Sequence, residues 1–103
     1  MEIQRIQALI WDEWNLDHIQ KHGMTVNEVE EVLDNRPVAL ETYKSRLLII
    51  GPNKFGEMRA VVAGLVPGTM ETYYVFSARP ASRKERARYA FEMKEHMDEE
   101  EHD

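Results

Sequence analysis

Apolar residues change their rhythm three times along this chain. Arg5 to Trp11 (R-I-Q-A-L-I-W) reads as a strand that ends at Asp12, a side chain suited to capping a helix. Glu13 to His22 reads as a short helix stopped by Gly23. Thr25 and Glu28 then have the spacing of a capping box, and Val26, Val29, Val32 and Leu33 recur at helical intervals. They predict a second helix over Val26–Asn35, and Pro37 forbids its continuation. From Val38 the pattern is that of β-structure, in four segments: Val38 to Tyr43, Arg46 to Gly51, Met58 to Val66 and Thr72 to Phe76. The connectors Tyr43 to Ser45, Pro52 to Gly56 and Pro67 to Thr69 are short and turn-like, so successive strands should pair antiparallel as a meander. A last helix should start after Ser82 and end near Met97, with Ala90, Met93 and Met97 toward the sheet. The prediction is a small α+β domain over residues 1–97: an N-terminal strand, two short helices, an antiparallel meander and a closing helix. Residues 98–103 form an acidic tail expected to fray into solvent.

With 103 residues and 43% hydrophobic content, the chain can fill one modest core. It has no cysteine, which removes disulfides and thiolate-bound zinc. Apolar runs such as Leu47 to Ile50 are far too short to cross a bilayer, and the N-terminus lacks a signal peptide's apolar stretch, so a cytoplasmic protein without a membrane partner is expected. The net charge of −6 belongs to the tail, because Glu92 to Asp103 holds seven acids and one lysine while residues 1–91 balance. Arg79 to Arg88, by contrast, holds five bases and one acid. The local field decides what docks there.

That basic segment, S-A-R-P-A-S-R-K-E-R-A-R-Y from Ser77 to Tyr89, leads from a strand into a helix that opens with cations. The first turn of a helix carries partial positive charge, so each base there costs about 0.3 to 1 kcal/mol unless an anion approaches. Outward-facing backbone N–H groups and arginine forks at such a position resemble a phosphate site. Arg79, Arg83 and Arg86 are therefore read as a phosphate clamp; the competing reading pairs them with acids such as Glu57 or Glu71.

An ordered set of motifs resembles the BrnT family: Trp11-Asp12, Asn15, Lys21-His22-Gly23-Met24 with Glu28, Arg46 to Gly51 followed by Gly56 and Arg59, then Ser77-Ala78-Arg79 and Arg83 to Arg86 with Tyr89. The set covers nearly the whole chain. The resemblance implies a RelE-like ribonuclease fold and a toxin of a type II toxin–antitoxin pair, cleaving RNA to restrain translation without metal or other cofactor. It also implies a BrnA-like antitoxin partner, with operator DNA bound only through the complex.

Metal-free RNA cleavage needs a 2′-hydroxyl deprotonated, a phosphorane stabilised and a 5′-oxygen protonated. Candidates for the proton steps are Glu85, Tyr89 and His22, each with a structural alternative. Glu85 completes a capping box with Ser82, Tyr89 can simply pack, and His22 precedes Gly23, where an imidazolium suits a helix C-terminus. Lys84, Arg88 and Arg59 are candidate RNA contacts, and Lys84 is equally a solvated surface charge. His18 and His22 have the spacing of two metal ligands, but Ile19 stands where a zinc hydrolase needs a glutamate and no third ligand is evident. Trp11, Trp14, Tyr43 and Phe55 are scattered, as core or partner contacts are, and do not form a base-stacking row. Two other readings stay open: a non-catalytic module that binds an antitoxin-like partner and supports operator repression, and a regulatory domain for a small phosphorylated ligand.

Overall fold

The computed structural model describes Ile6 and residues 8–101, with side chains described as far as Glu95. Strand β1 (Ala8–Ile10) leads into helices α1 (Glu13–Lys21) and α2 (Val26–Asp34), followed by β2 (Val38–Thr42), β3 (Arg46–Pro52), β4 (Met58–Leu65), β5 (Thr72–Pro80) and α3 (Arg83–Glu101). The strands make one sheet in the order β1-β5-β4-β3-β2, antiparallel throughout the meander and parallel between β1 and β5. This is the α+β arrangement expected of the sequence.

Local chemistry sets the helix ends. The Asp12 carboxylate accepts from the Asn15 backbone N–H, and the Asn15 side chain accepts in return from the Asp12 N–H. Thr25 caps α2 through the Glu28 N–H. Gly23 leaves α1 with φ of +76°, a left-handed conformation that a side chain would strain. The two faces of the sheet hold two cores, as the alternation along each strand requires. On one face α1 and α2 lay Ile19, Val29 and Val32 over Ile49, Val61 and Val75. On the other, α3 seats Tyr89 against Ile50, Ala60 and Ala81. The first cluster is much the larger, and each fully buried Val or Ile in it contributes roughly 1.5 to 3 kcal/mol.

Three elements differ from the expected ones by more than a residue. Strand β1 is described over Ala8–Ile10 where Arg5 to Trp11 was expected, and Arg5 and Gln7 lie outside the described residues. Strand β5 runs on from Phe76 to Pro80, because a β-bulge lets the chain keep pairing: Ala63 faces Val75, Val62 faces Ser77, and Phe76 is the extra residue. Ser77 to Arg79 is thus strand and not loop. Pro80 is tolerated because it ends the strand beyond the reach of β1. Helix α3 continues past Met97 to Glu101, as suits a run rich in glutamate with no Gly or Pro; His102 and Asp103 lie outside the described residues.

The same helix is also rotated from the expected face by about a quarter turn at 3.6 residues per turn. Glu85, Tyr89, Glu92 and Met93 are its partly buried positions, and Ala90 is exposed. The Tyr89 ring, larger than the Ala90 methyl, takes the contact with the sheet. The expected contact at Met97 lies outside the described side chains.

Candidate functional site

Arg79 stands opposite Ala60 on the face of the sheet that α3 covers, close before the helix begins. Its guanidinium grips Glu85 with two hydrogen bonds, Nη1 to Oε1 at 2.7 Å and Nη2 to Oε2 at 2.8 Å. Glu85 Oε1 also accepts from the Ser82 backbone N–H at 2.8 Å, while Ser82 Oγ accepts from the Glu85 N–H at 3.2 Å. The expected capping box is therefore present, and the same carboxylate serves as an arginine's partner. Hydrogen bonding to Arg79 first, and then to the Ser82 N–H, against an opposing cost of burial, holds the Glu85 pKa down at about 2. Arg79 in turn is held above the usual arginine range by that carboxylate.

The other cations of the segment are exposed. Arg83 and Lys84 sit in the first turn of α3, and their side chains have no hydrogen bond or ion pair among the described residues. Arg86 is tied back to the Ala81 carbonyl at 3.0 Å, and Arg88 pairs with Glu92 one turn along at 2.8 Å. Neither Glu57 nor Glu71 pairs with the clamp arginines; Glu85 and the Pro80 carbonyl take Arg79, the Ala81 carbonyl takes Arg86, and Arg83 has no side-chain partner among the described residues. The Tyr89 hydroxyl donates to the Arg36 carbonyl at 3.1 Å, and burial raises its pKa. Arg36 has φ of +49°, so this bond holds a strained loop residue ahead of Pro37.

Two candidates lie elsewhere. His22 caps α1, on the opposite face of the sheet from α3, and stands exposed in a ladder of rings: Trp14 stacks on His18 at 5.0 Å and His18 meets His22 edge-on at 5.4 Å. Arg59 also points to the α1–α2 face, where its Nε donates to Glu28 at 2.6 Å and a further nitrogen lies 3.5 Å from Glu57. Buried Asn53 joins both carboxylates at 2.8 and 3.0 Å. Contacts thus join Arg79 with Glu85; Arg83, Lys84 and Arg86 share the first turns of the same helix without a described contact to Arg79, Tyr89 turns to Arg36, and His22 and Arg59 lie across the sheet. Among the described residues no group of three or more His, Asp or Glu could hold a metal ion, and no helix is long and apolar enough to cross a membrane.

Sequence reading missed a second cluster on α3's face. The Arg46 guanidinium lies over the Phe76 ring at 3.9 Å, and Phe76 meets Tyr74 edge-on at 5.2 Å. Phe76 can lie there because Gly64 is beneath it: a Cβ on Gly64 would come 2.8 Å from the Phe76 ring. The Tyr74 hydroxyl reaches both oxygens of Asp12 at 3.0 Å, so the Asp12 pKa is lowered, chiefly by the Asn15 N–H, and that of Tyr74 is raised by desolvation and by Asp12. Buried Asn15 donates to the carbonyls of Ile10 and Val75, tying α1 to two strands. Of the scattered aromatics, Trp14, Tyr43 and Phe55 are more than half exposed, which removes them from the core.

The crystal structure of the Brucella abortus ribonuclease toxin BrnT matches this chain with a TM-score of 0.58 and 30% identity, over 74% of this chain and 97% of that one. The chain belongs to the BrnT family. No protein-family model and no curated protein matches it. The BrnT likeness establishes a toxin-like ribonuclease fold for the chain. Within the BrnT fold as built here, the basic start of α3 and the end of β5 form one corner, and the Arg46–Phe76 stack lies on the same sheet face.

Proposed function

We infer that this chain is a toxin of a type II toxin–antitoxin pair: a metal-independent, RelE-like endoribonuclease that restrains translation in the cytoplasm by cleaving RNA. The observation that carries this reading is the pair of exposed cations Arg83 and Lys84 at the start of a 19-residue helix, neither of them ion-paired among the described residues, while the one acid of that turn, Glu85, is held by Arg79. A helix start repels cations, and the arrangement is relieved by an anion such as the RNA backbone. In this reading Arg79, Arg83 and Arg86 hold the scissile phosphate, and Lys84 and Arg88 contact flanking phosphates. Glu85 supplies the base once a phosphate competes for Arg79. Losing the arginine fork removes the main cause of its low pKa, and the carboxylate becomes basic enough to take the 2′-hydroxyl proton. The 2′-oxygen then attacks phosphorus and the 5′-oxygen leaves with a proton, for which Tyr89 is the candidate donor on this face. A BrnA-like antitoxin would cover this corner, and the complex would carry operator binding.

The test is growth and total RNA after induction of the chain alone, beside the double variant Arg83→Ala, Arg86→Ala at equal soluble level. Arrest with RNA loss in the parent and neither in the variant is expected. Unchanged arrest in the variant would remove these arginines from the chemistry.

A second reading keeps the fold and drops catalysis, leaving a module that binds an antitoxin-like partner and supports repression. One observation favours it: Glu85 is committed to Arg79, the Tyr89 hydroxyl to Arg36, and His22 lies across the sheet. Normal growth and intact RNA with soluble parent would decide for it.

A further inference from the structure

We propose that the Arg46–Phe76 stack is a nucleobase platform, receiving a base of the same RNA strand whose phosphate is held at Arg79, Arg83 and Arg86; this rests on the ribonuclease reading above. The strand register puts Arg46, Gly64 and Tyr74 in one row across the sheet and Ile50, Ala60 and Arg79 in another, on one face. The rows are four residues apart along β3, which is about 13 Å at ~3.3 Å per residue. A few nucleotides of extended strand cover that span.

The chemistry of the platform is specific. Of the three arginines in the sheet, Arg59 and Arg79 are bound to glutamates, whereas the side chain of Arg46 has no hydrogen bond or ion pair among the described residues. Its one partner is the Phe76 ring, 3.9 Å from the guanidinium carbon. A guanidinium at stacking distance from a ring offers its outer side to a second π-face, and its N–H edges stay free for a base edge or a phosphate. Asp12, the acid of this cluster, is occupied by Tyr74, and the Arg46 guanidinium is left without a carboxylate. Gly64 adds independent weight: the absence of a side chain there is what lets Phe76 lie low enough to support the arginine. Charge and continuity with the corner at Arg79 favour single-stranded RNA here over a protein segment.

The experiment uses the full chain and a short 2′-O-methyl RNA, which cannot be cleaved, carrying 2-aminopurine at successive positions, together with the same strand made abasic at each position. With the parent, 2-aminopurine fluorescence is expected to be quenched at one position a few nucleotides from the site of cleavage. Arg46→Ala and Phe76→Leu should abolish that quench and weaken binding about tenfold, while leaving the abasic strand bound as by the parent. Arg46→Lys should lose the quench but keep the salt dependence, which separates stacking from charge. If the parent binds RNA and every variant quenches as the parent does, the platform is wrong and the ribonuclease reading stands. If Arg46→Ala leaves RNA binding intact but weakens capture of the antitoxin, the surface is a protein-docking one and the platform is again wrong. If the parent binds and cleaves no RNA, the ribonuclease reading itself fails and the platform with it.

Discussion

Two arginine–glutamate pairs sit back to back at one end of the sheet, and they do different work. Arg59 faces α2 and is enclosed: its side chain and that of Glu28 are 18% and 16% exposed, and Asn53 binds Glu28 from behind. Arg79 faces α3 with 35% of its side chain in solvent, holding a carboxylate that also caps the helix. The sequence makes both arginines candidates for RNA, Arg79 in the phosphate clamp and Arg59 as a further contact. Enclosure separates them, since a guanidinium fastened on all sides braces a fold, whereas one with an open edge can exchange its partner for a phosphate.

Breaking the enclosed pair should have the largest effect on the fold. Arg59→Ala leaves Glu28 half-stranded among buried groups, and we expect a loss of about 2 to 4 kcal/mol in urea unfolding, with RNA binding by the remaining folded protein little changed. Arg79→Ala reverses the pattern: a stability change of about 1 kcal/mol or less, but a fall in RNA cleavage on the order of a hundredfold in a single-turnover assay. Equal losses of stability from both substitutions would erase the distinction drawn here.

Acid sharpens the comparison. The folded-state pKa of Glu85 is lowered from 4.5 to about 2, so its stabilising contribution is present above the unfolded pKa and lost as pH falls through the folded one. Glu85→Gln should thus cost on the order of 1 to 2 kcal/mol near pH 6, discounted for the exposure of Arg79, and the gap from the parent should close between pH 4.5 and about 2. A gap independent of pH would assign the effect to the cap alone. The smallest effect is expected of Ser82→Ala, about 0.5 to 1 kcal/mol from the lost N-cap, read in the same unfolding curves.

Much of this arrangement was legible beforehand because short-range chemistry decides it. Asp12, Gly23, Thr25 and Ser82 mark helix ends by bonds made within a few residues, and the structure has them all. What failed needed partners distant in the chain. The extension of β5 depends on a bulge that only β4 can enforce, and the seat of α3 depends on a hollow formed by Ile50, Ala60 and Ala81, where Tyr89 fits. Arg46 and Phe76 are thirty positions apart and become neighbours only through two strand registers. The pairing of Arg79 with Glu85 is hidden for a different reason: the sequence points each residue to another task, a phosphate and a cap, and the carboxylate has oxygens enough for both cap and arginine.

Strand β5 outruns its neighbour β1, whose pairing stops at Tyr74, so an outer margin of β5 has no described strand beside it. Bare margins of this kind invite a foreign chain to add itself to the sheet. Here the first open carbonyl, that of Val75, is taken by the Asn15 amide, which also holds Ile10 and so stands in for the missing rung, while Pro80 has no hydrogen to offer at the far end. A buried asparagine thereby acts as a hem on the sheet, and Asn15→Leu, which fills the space without the amide, would trade that hem for an aggregation-prone seam.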